Sequence, residues 1–182
     1  MFLQGPTFEG LFIHKILKDL EDAPPLMARR AEQMVRYFHR HLEPDKEKNA
    51  YRWHYWDWIE YGQPGRSDYE DTSHAALSMS LAVEAARRGV IFTDADMTRI
   101  ANTWLKLMWN RDEEKPMMAA AVDGRQPYEF SPLAARWSEL SQWDRKVYDL
   151  ALKTFLSRSP EQQARFVPVM LLCAKRAGVK RD

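Results

Sequence analysis

The chain has 182 residues and a formal net charge of +1, with 45% hydrophobic and 29% charged residues. That balance fits one soluble globular domain with a core large enough to need no covalent staples, and it offers no global basic field for nucleic acid. A single cysteine, Cys173, excludes an intramolecular disulfide. No apolar run approaches the ~18 residues of a membrane span, and the N-terminus lacks the charged start and apolar core of a signal peptide, so a cytoplasmic location is expected.

Leu11, Phe12, Ile13, Ile16, Leu17 and Leu20 predict a short helix over 8–21. Pro24 and Pro25 break it and open a second helix, from about Pro25 to Leu42, since proline is tolerated in a first turn. Leu26, Met27, Ala31, Met34, Tyr37, Phe38 and Leu42 give that helix a broad apolar face, and Pro44 ends it. Residues 45–50 read as a solvated connector.

The stretch 51–74, YRWHYWDWIEYGQPGRSDYEDTSH, is the densest chemistry in the chain. Three of the seven tryptophans and four of the seven tyrosines fall within it. Gly62, Pro64 and Gly65 mark it as a loop, and long loops in compact domains are often functional.

A third helix is expected from Asp71 or Thr72, either of which can cap it, to Gly89. It is apolar nearly all round, the pattern of an interior helix. Thr93 and Asp96 have capping-box spacing, and Phe92 and Met97 are placed for a staple across that cap. Met97, Ile100, Ala101, Trp104, Leu105 and Met108 then form one apolar stripe of a fourth, outer helix. Residues 111–131 form a second long loop. Ser131-Pro132 opens a fifth helix, a break near Gln142–Asp144 leads to a sixth, and Ser159-Pro160-Glu161-Gln162 starts a seventh, which Pro168 should kink. No alternating strand is evident, so the expected fold class is all-α, with about seven helices paired as hairpins.

The stretch 70–110, EDTSHAALSMSLAVEAARRGVIFTDADMTRIANTWLKLMWN, resembles a piece of an (α/α) toroid, the six-hairpin family of polysaccharide-processing enzymes. The resemblance extends upstream to PLMARRAEQMVRYFHRHL and the WHYW segment, and more weakly downstream to RWSELSQWDRKVYDLAL. It implies that loops before inner helices line a cleft for a carbohydrate chain. It covers only about half of a toroid, so residues 1–182 read as one all-α domain, or as the C-terminal part of a larger toroid. A half-toroid exposes apolar flanks, which favours a homo-oligomer.

The candidate catalytic residues are His74, Glu70, Asp71 and His54. Asp71 and His74 are three apart, and Glu70 and His74 four apart, so a helix beginning by residue 70 would put them on one face. A carboxylate beside a histidine orients the ring for general acid–base work. The plainer reading is that Asp71 caps the helix and His74 makes a structural hydrogen bond. Trp53, Tyr55, Trp56 and Trp58 could stack on sugar rings, while Arg52 and Arg66 could pair with uronate carboxylates. The alternative is a core plug or an interface. One carboxylate-x-x-His element is half the pattern of a di-metal bundle site, and nothing in the sequence completes it, so no metal and no cofactor are expected.

Two functions therefore stay open. One is a protein that binds or acts on an acidic polysaccharide, as a lyase, epimerase or hydrolase. The other is a non-catalytic helical module for interaction or self-association.

Overall fold

The computed structural model describes residues 25–55, 68–125, 128–129 and 134–178. The expected helix over 8–21, Trp56, Trp58 and Arg66 lie outside them. The described chain is mostly helical, as the sequence predicts.

Helix α1 (Pro25–Arg40) begins on its proline and buries Ala31, Met34, Val35 and Phe38. The chain then turns into a small hairpin of β1 (Glu43–Asp45) and β2 (Ala50–Arg52), where only a connector was expected. Pro44 has no N–H to give and lies opposite Tyr51. Tyr51 turns its own backbone away from it: its N–H donates to Thr103 Oγ1 at 3.2 Å, and its carbonyl accepts from the same hydroxyl at 2.5 Å. Asn49 takes the left-handed conformation that closes the turn.

Helix α2 (Thr72–Arg87) is the interior helix, with Ala75, Ala76, Met79, Leu81, Ala82, Val83 and Ala85 all buried. Helix α3 (Asp94–Asn102) carries the full capping box: Thr93 Oγ1 accepts from the Asp96 N–H, and Asp96 accepts from the Thr93 N–H. Its continuation, Thr103–Met108, widens into π geometry, so that the Trp109 N–H reaches back to the Trp104 carbonyl at 2.9 Å.

The second long loop contains a short antiparallel pair, β3 (Met118–Ala119) with β4 (Tyr128–Glu129). Helix α4 (Ala134–Trp137) runs into a 3₁₀ segment, Ser138–Gln142, which ends at the expected break. Asp144 caps α5 (Arg145–Leu156). The last predicted helix is two helices, α6 (Pro160–Ala164) and α7 (Val167–Arg176). Pro168 therefore lies in a first turn, where its missing N–H costs nothing, and does not kink a longer helix.

Trp53, Trp104 and Trp137 meet at the centre of the core, all fully buried. The Trp53 and Trp137 rings stack at 6.4 Å, and Trp104 tilts against Trp137 at 6.1 Å. Phe38 of α1 packs edge-on against Trp53 at 5.8 Å.

Candidate functional site

The extended chain does not stop at Arg52. The Glu70 N–H donates to the Trp53 carbonyl at 3.0 Å, and the Tyr55 N–H donates to the Asp68 carbonyl at 3.0 Å. On its other edge the 68–72 segment pairs with the second long loop. The Val122 N–H reaches the Glu70 carbonyl at 3.1 Å, and the Thr72 N–H reaches the Ala120 carbonyl at 3.0 Å. Segments 43–45, 50–55, 68–72 and 118–122 thus lie side by side in one small sheet-like face across the N-terminal end of α2.

Alternation along this face sorts the side chains. Tyr51 and Trp53 point into the core, while Arg52 and His54 stay partly exposed. The aromatic–polar alternation from Tyr51 to Tyr55 is the sequence signal for this strand, while the loop signals of the same stretch, Gly62, Pro64 and Gly65, lie further along the chain.

The acid–acid–histidine cluster resolves into a pair and a buried acid. Asp71 is the N-cap of α2, accepting from the Ser73 and His74 N–H groups at 3.0 and 3.2 Å. Its second oxygen pairs with His74 Nδ1. Both side chains are about half exposed, at 46% and 45%. With the Nδ1 proton given to Asp71, Nε2 is the basic nitrogen of His74. The Tyr55 ring meets the His74 ring edge-on at 5.2 Å.

Glu70 is not part of that pair. The helix starts at Thr72, so Glu70 is still in extended chain and its side chain points inward, fully buried. It accepts from the indole N–H of Trp53. Burial pushes its carboxyl up to about 8, against the pull of the nearby Ser78 hydroxyl and of the Trp53 indole, while the nearby Asp71 charge adds to the rise. Trp53, expected as a sugar platform, is likewise a core residue with no face to offer a ligand.

His54 belongs to a neighbouring group. It stacks on Tyr69 at 4.3 Å, and its Nε2 lies 2.9 Å from Glu43 Oε1. The Tyr69 hydroxyl donates to the other Glu43 oxygen at 3.2 Å. Burial and then the Glu43 charge raise the Tyr69 phenol above its ordinary range. Arg52 sits over the Tyr69 ring at 5.7 Å, with its guanidinium 3.8 Å from Asp45. Arg125 clamps the far side, donating to the Tyr69 carbonyl at 3.0 Å and pairing with Asp68 and Asp123. Sequence reasoning missed Glu43 and Tyr69, because nothing local announces a pairing across a hairpin and a long loop.

A separate cleft of about 260 Å³, lined by Glu114, Lys115, Pro116, Met117 and Ser157, shares no residue with these groups. Among the described residues, no group of three or more His, Cys, Asp or Glu side chains is placed to hold a metal ion, and no helix is long and apolar enough to cross a membrane.

Comparison of the chain with protein-family models, with curated proteins and with solved structures gave no match.

Proposed function

We propose that the chain binds an acidic polysaccharide across the face formed by 50–55, 68–72 and 118–122, with the Asp71–His74 pair as its acid–base group. The observation that carries this reading is the geometry of His74. Its Nδ1 is held by a carboxylate that is itself fixed on two backbone N–H groups, while half of the ring remains open beside Tyr55. A histidine oriented in this way can take a proton through Nε2, and a neighbouring phenol can return one. Removal of the proton next to a uronate carboxylate begins both lysis and epimerisation, so the reading covers both. Arg52, partly exposed on the same face, is the group for the uronate charge. An (α/α)-toroid-like arrangement is part of the proposal, supported by a buried α2 followed by the more amphipathic α3.

The test is binding to a panel of acidic oligosaccharides, with His74→Ala and Arg52→Ala as variants. Binding lost in both variants with the fold intact by circular dichroism supports the reading. No binding of the unaltered chain to any acidic glycan sinks it. If binding is found, a new ultraviolet absorbance from an unsaturated uronide marks a lyase, and deuterium uptake from heavy water without chain cleavage marks an epimerase.

One observation favours the second reading, a self-associating module. Leu156, Val167, Leu171 and Leu172 are exposed on α5 and α7, at 60, 40, 58 and 46%. Val167 and Leu171 are one helical turn apart, so they share a face of α7. Light scattering after size exclusion would report a dimer that Leu171→Asp dissociates. A monomer at high micromolar concentration would overturn this alternative.

A further inference from the structure

The Asp71–His74 pair hangs from a segment whose middle residue is a buried acid. Glu70 is fully buried, and among the described residues no cation acts on it. What faces it is the Trp53 indole from the 50–55 segment, Ser78 from α2, and the Asp71 carboxylate from its own segment. Phe38 and Trp137, which pack on Trp53 from α1 and α4, are uncharged. The second carboxyl oxygen, Oε1, has no hydrogen-bond partner of ordinary geometry among the described residues, and neither does Ser78 Oγ. A proton on Glu70 gives that oxygen a neutral form to bury, whereas an uncompensated charge there is costly.

The backbone of Glu70 is also the centre of the sheet-like face. Its N–H binds Trp53 on one side and its carbonyl binds Val122 on the other. Anything that expels this side chain breaks both connections and displaces Asp71, the next residue.

We propose that Glu70 is a proton-loaded latch: its protonated carboxyl locks the 68–72 segment to the core through Trp53, and loss of the proton releases that segment together with the Asp71–His74 pair. Glu70 is a positioning residue, acting through the segment that carries the pair. Once the released form has an ordinary carboxyl, each unit by which the pH rises toward the folded midpoint of about 8 favours release tenfold, and the effect levels off above that midpoint. The inference rests on the site reading above only for what the latch controls, since the latch can be measured with no ligand present.

The experiment is a pH titration of the full chain from about pH 6 to about pH 9.5, followed by infrared difference spectroscopy and by near-ultraviolet circular dichroism. The expected result is a protonated-carboxyl band at the acid end that is lost at the same midpoint as the tryptophan dichroism changes. Glu70→Gln, which keeps the shape without the proton, should lack both transitions. Trp53→Phe, which removes the indole N–H, should shift the frequency of the band. Absence of a protonated-carboxyl band would overturn the proposal, as would loss of the band with unchanged dichroism. Should Glu70→Gln not fold, the two wild-type transitions and the Trp53→Phe shift decide the matter. Failure of the latch leaves glycan binding at neutral pH untouched, and failure to bind glycan leaves both transitions in place.

Discussion

The hydroxyl of Tyr51 donates to Asp96 Oδ1 at 2.7 Å, so the hairpin next to the site is tied to the cap of α3. Arg99 closes the arrangement from the other side, donating to the same phenol oxygen at 2.9 Å. Burial pushes the Asp96 carboxyl up, but hydrogen bonds from Thr93 and Tyr51 and the nearby His39 outweigh it and hold the group below the ordinary carboxylate range.

Removing this carboxylate should be expensive. Asp96→Ala loses the carboxylate half of the capping box, worth about 1 kcal/mol, and the charged hydrogen bond from Tyr51, worth about 1.5–3 kcal/mol, so a loss of roughly 2.5–4 kcal/mol is expected in urea unfolding. Tyr51→Phe should cost about 1 kcal/mol, and the double variant less than the sum. Because the folded group lies below its unfolded value, this contribution is present above the unfolded value and is lost as pH falls through the folded one. Asp96→Ala should therefore have a flatter acid-unfolding curve than the parent chain.

Two glycines with positive φ should respond differently to alanine. At Gly124, φ is +83° and an added Cβ would lie 2.5 Å from the Leu107 carbonyl oxygen in the π segment. At Gly89, φ is +68° and nothing stands within 4 Å. Gly89→Ala should cost about 1–2 kcal/mol for the left-handed conformation alone. Gly124→Ala should cost more, and should move the 118–122 edge of the site as well, which amide chemical shifts at Ala120 and Val122 would report.

The cap and the chemistry can be separated at Asp71 and His74. Asp71→Ala removes the N-cap of α2 and should lower stability by about 1 kcal/mol. His74→Ala touches no cap and should leave the thermal midpoint within about 2 °C while abolishing glycan binding. If the two changes destabilise equally, the histidine is structural.

Cys173 is fully buried on the inner side of α7, and burial raises its thiol above the ordinary range. The thiolate is the reactive form, so an aromatic disulfide reagent should react far more slowly than with an unfolded control. Rapid labelling in native buffer would mean that α7 detaches from the core.

The helices were legible because their signals are local. Pro25, the Thr93–Asp96 box and Ser159-Pro160 each mark a start within a few residues, and each start lies where those residues place it. Asp71 was equally legible as a cap, which was the plainer of its two readings. The sheet-like face was not, because its segments are only a few residues long and most of their partners are distant in sequence. Glu70 shows the limit most clearly. Read as a helical residue it belongs beside His74, but read as an extended one it alternates with Asp71 and points into the core. A shift of two residues in the helix start separates a proposed catalytic acid from a buried one.

The site face is held by a few backbone bonds between segments that meet only after long loops have closed, whereas α2, α3 and α5 form from near neighbours. Loop closure delays such contacts, so the helices should assemble first and the face should seal last. The same contacts should then be the first to yield in the native protein. The amide protons of Tyr55, Glu70, Thr72 and Val122 should exchange with solvent by local opening, well before those of Leu81 and Val83. The surface that would meet a ligand would thus be among the least durable parts of the molecule, and a bound ligand would be felt first as slower exchange at those four amides.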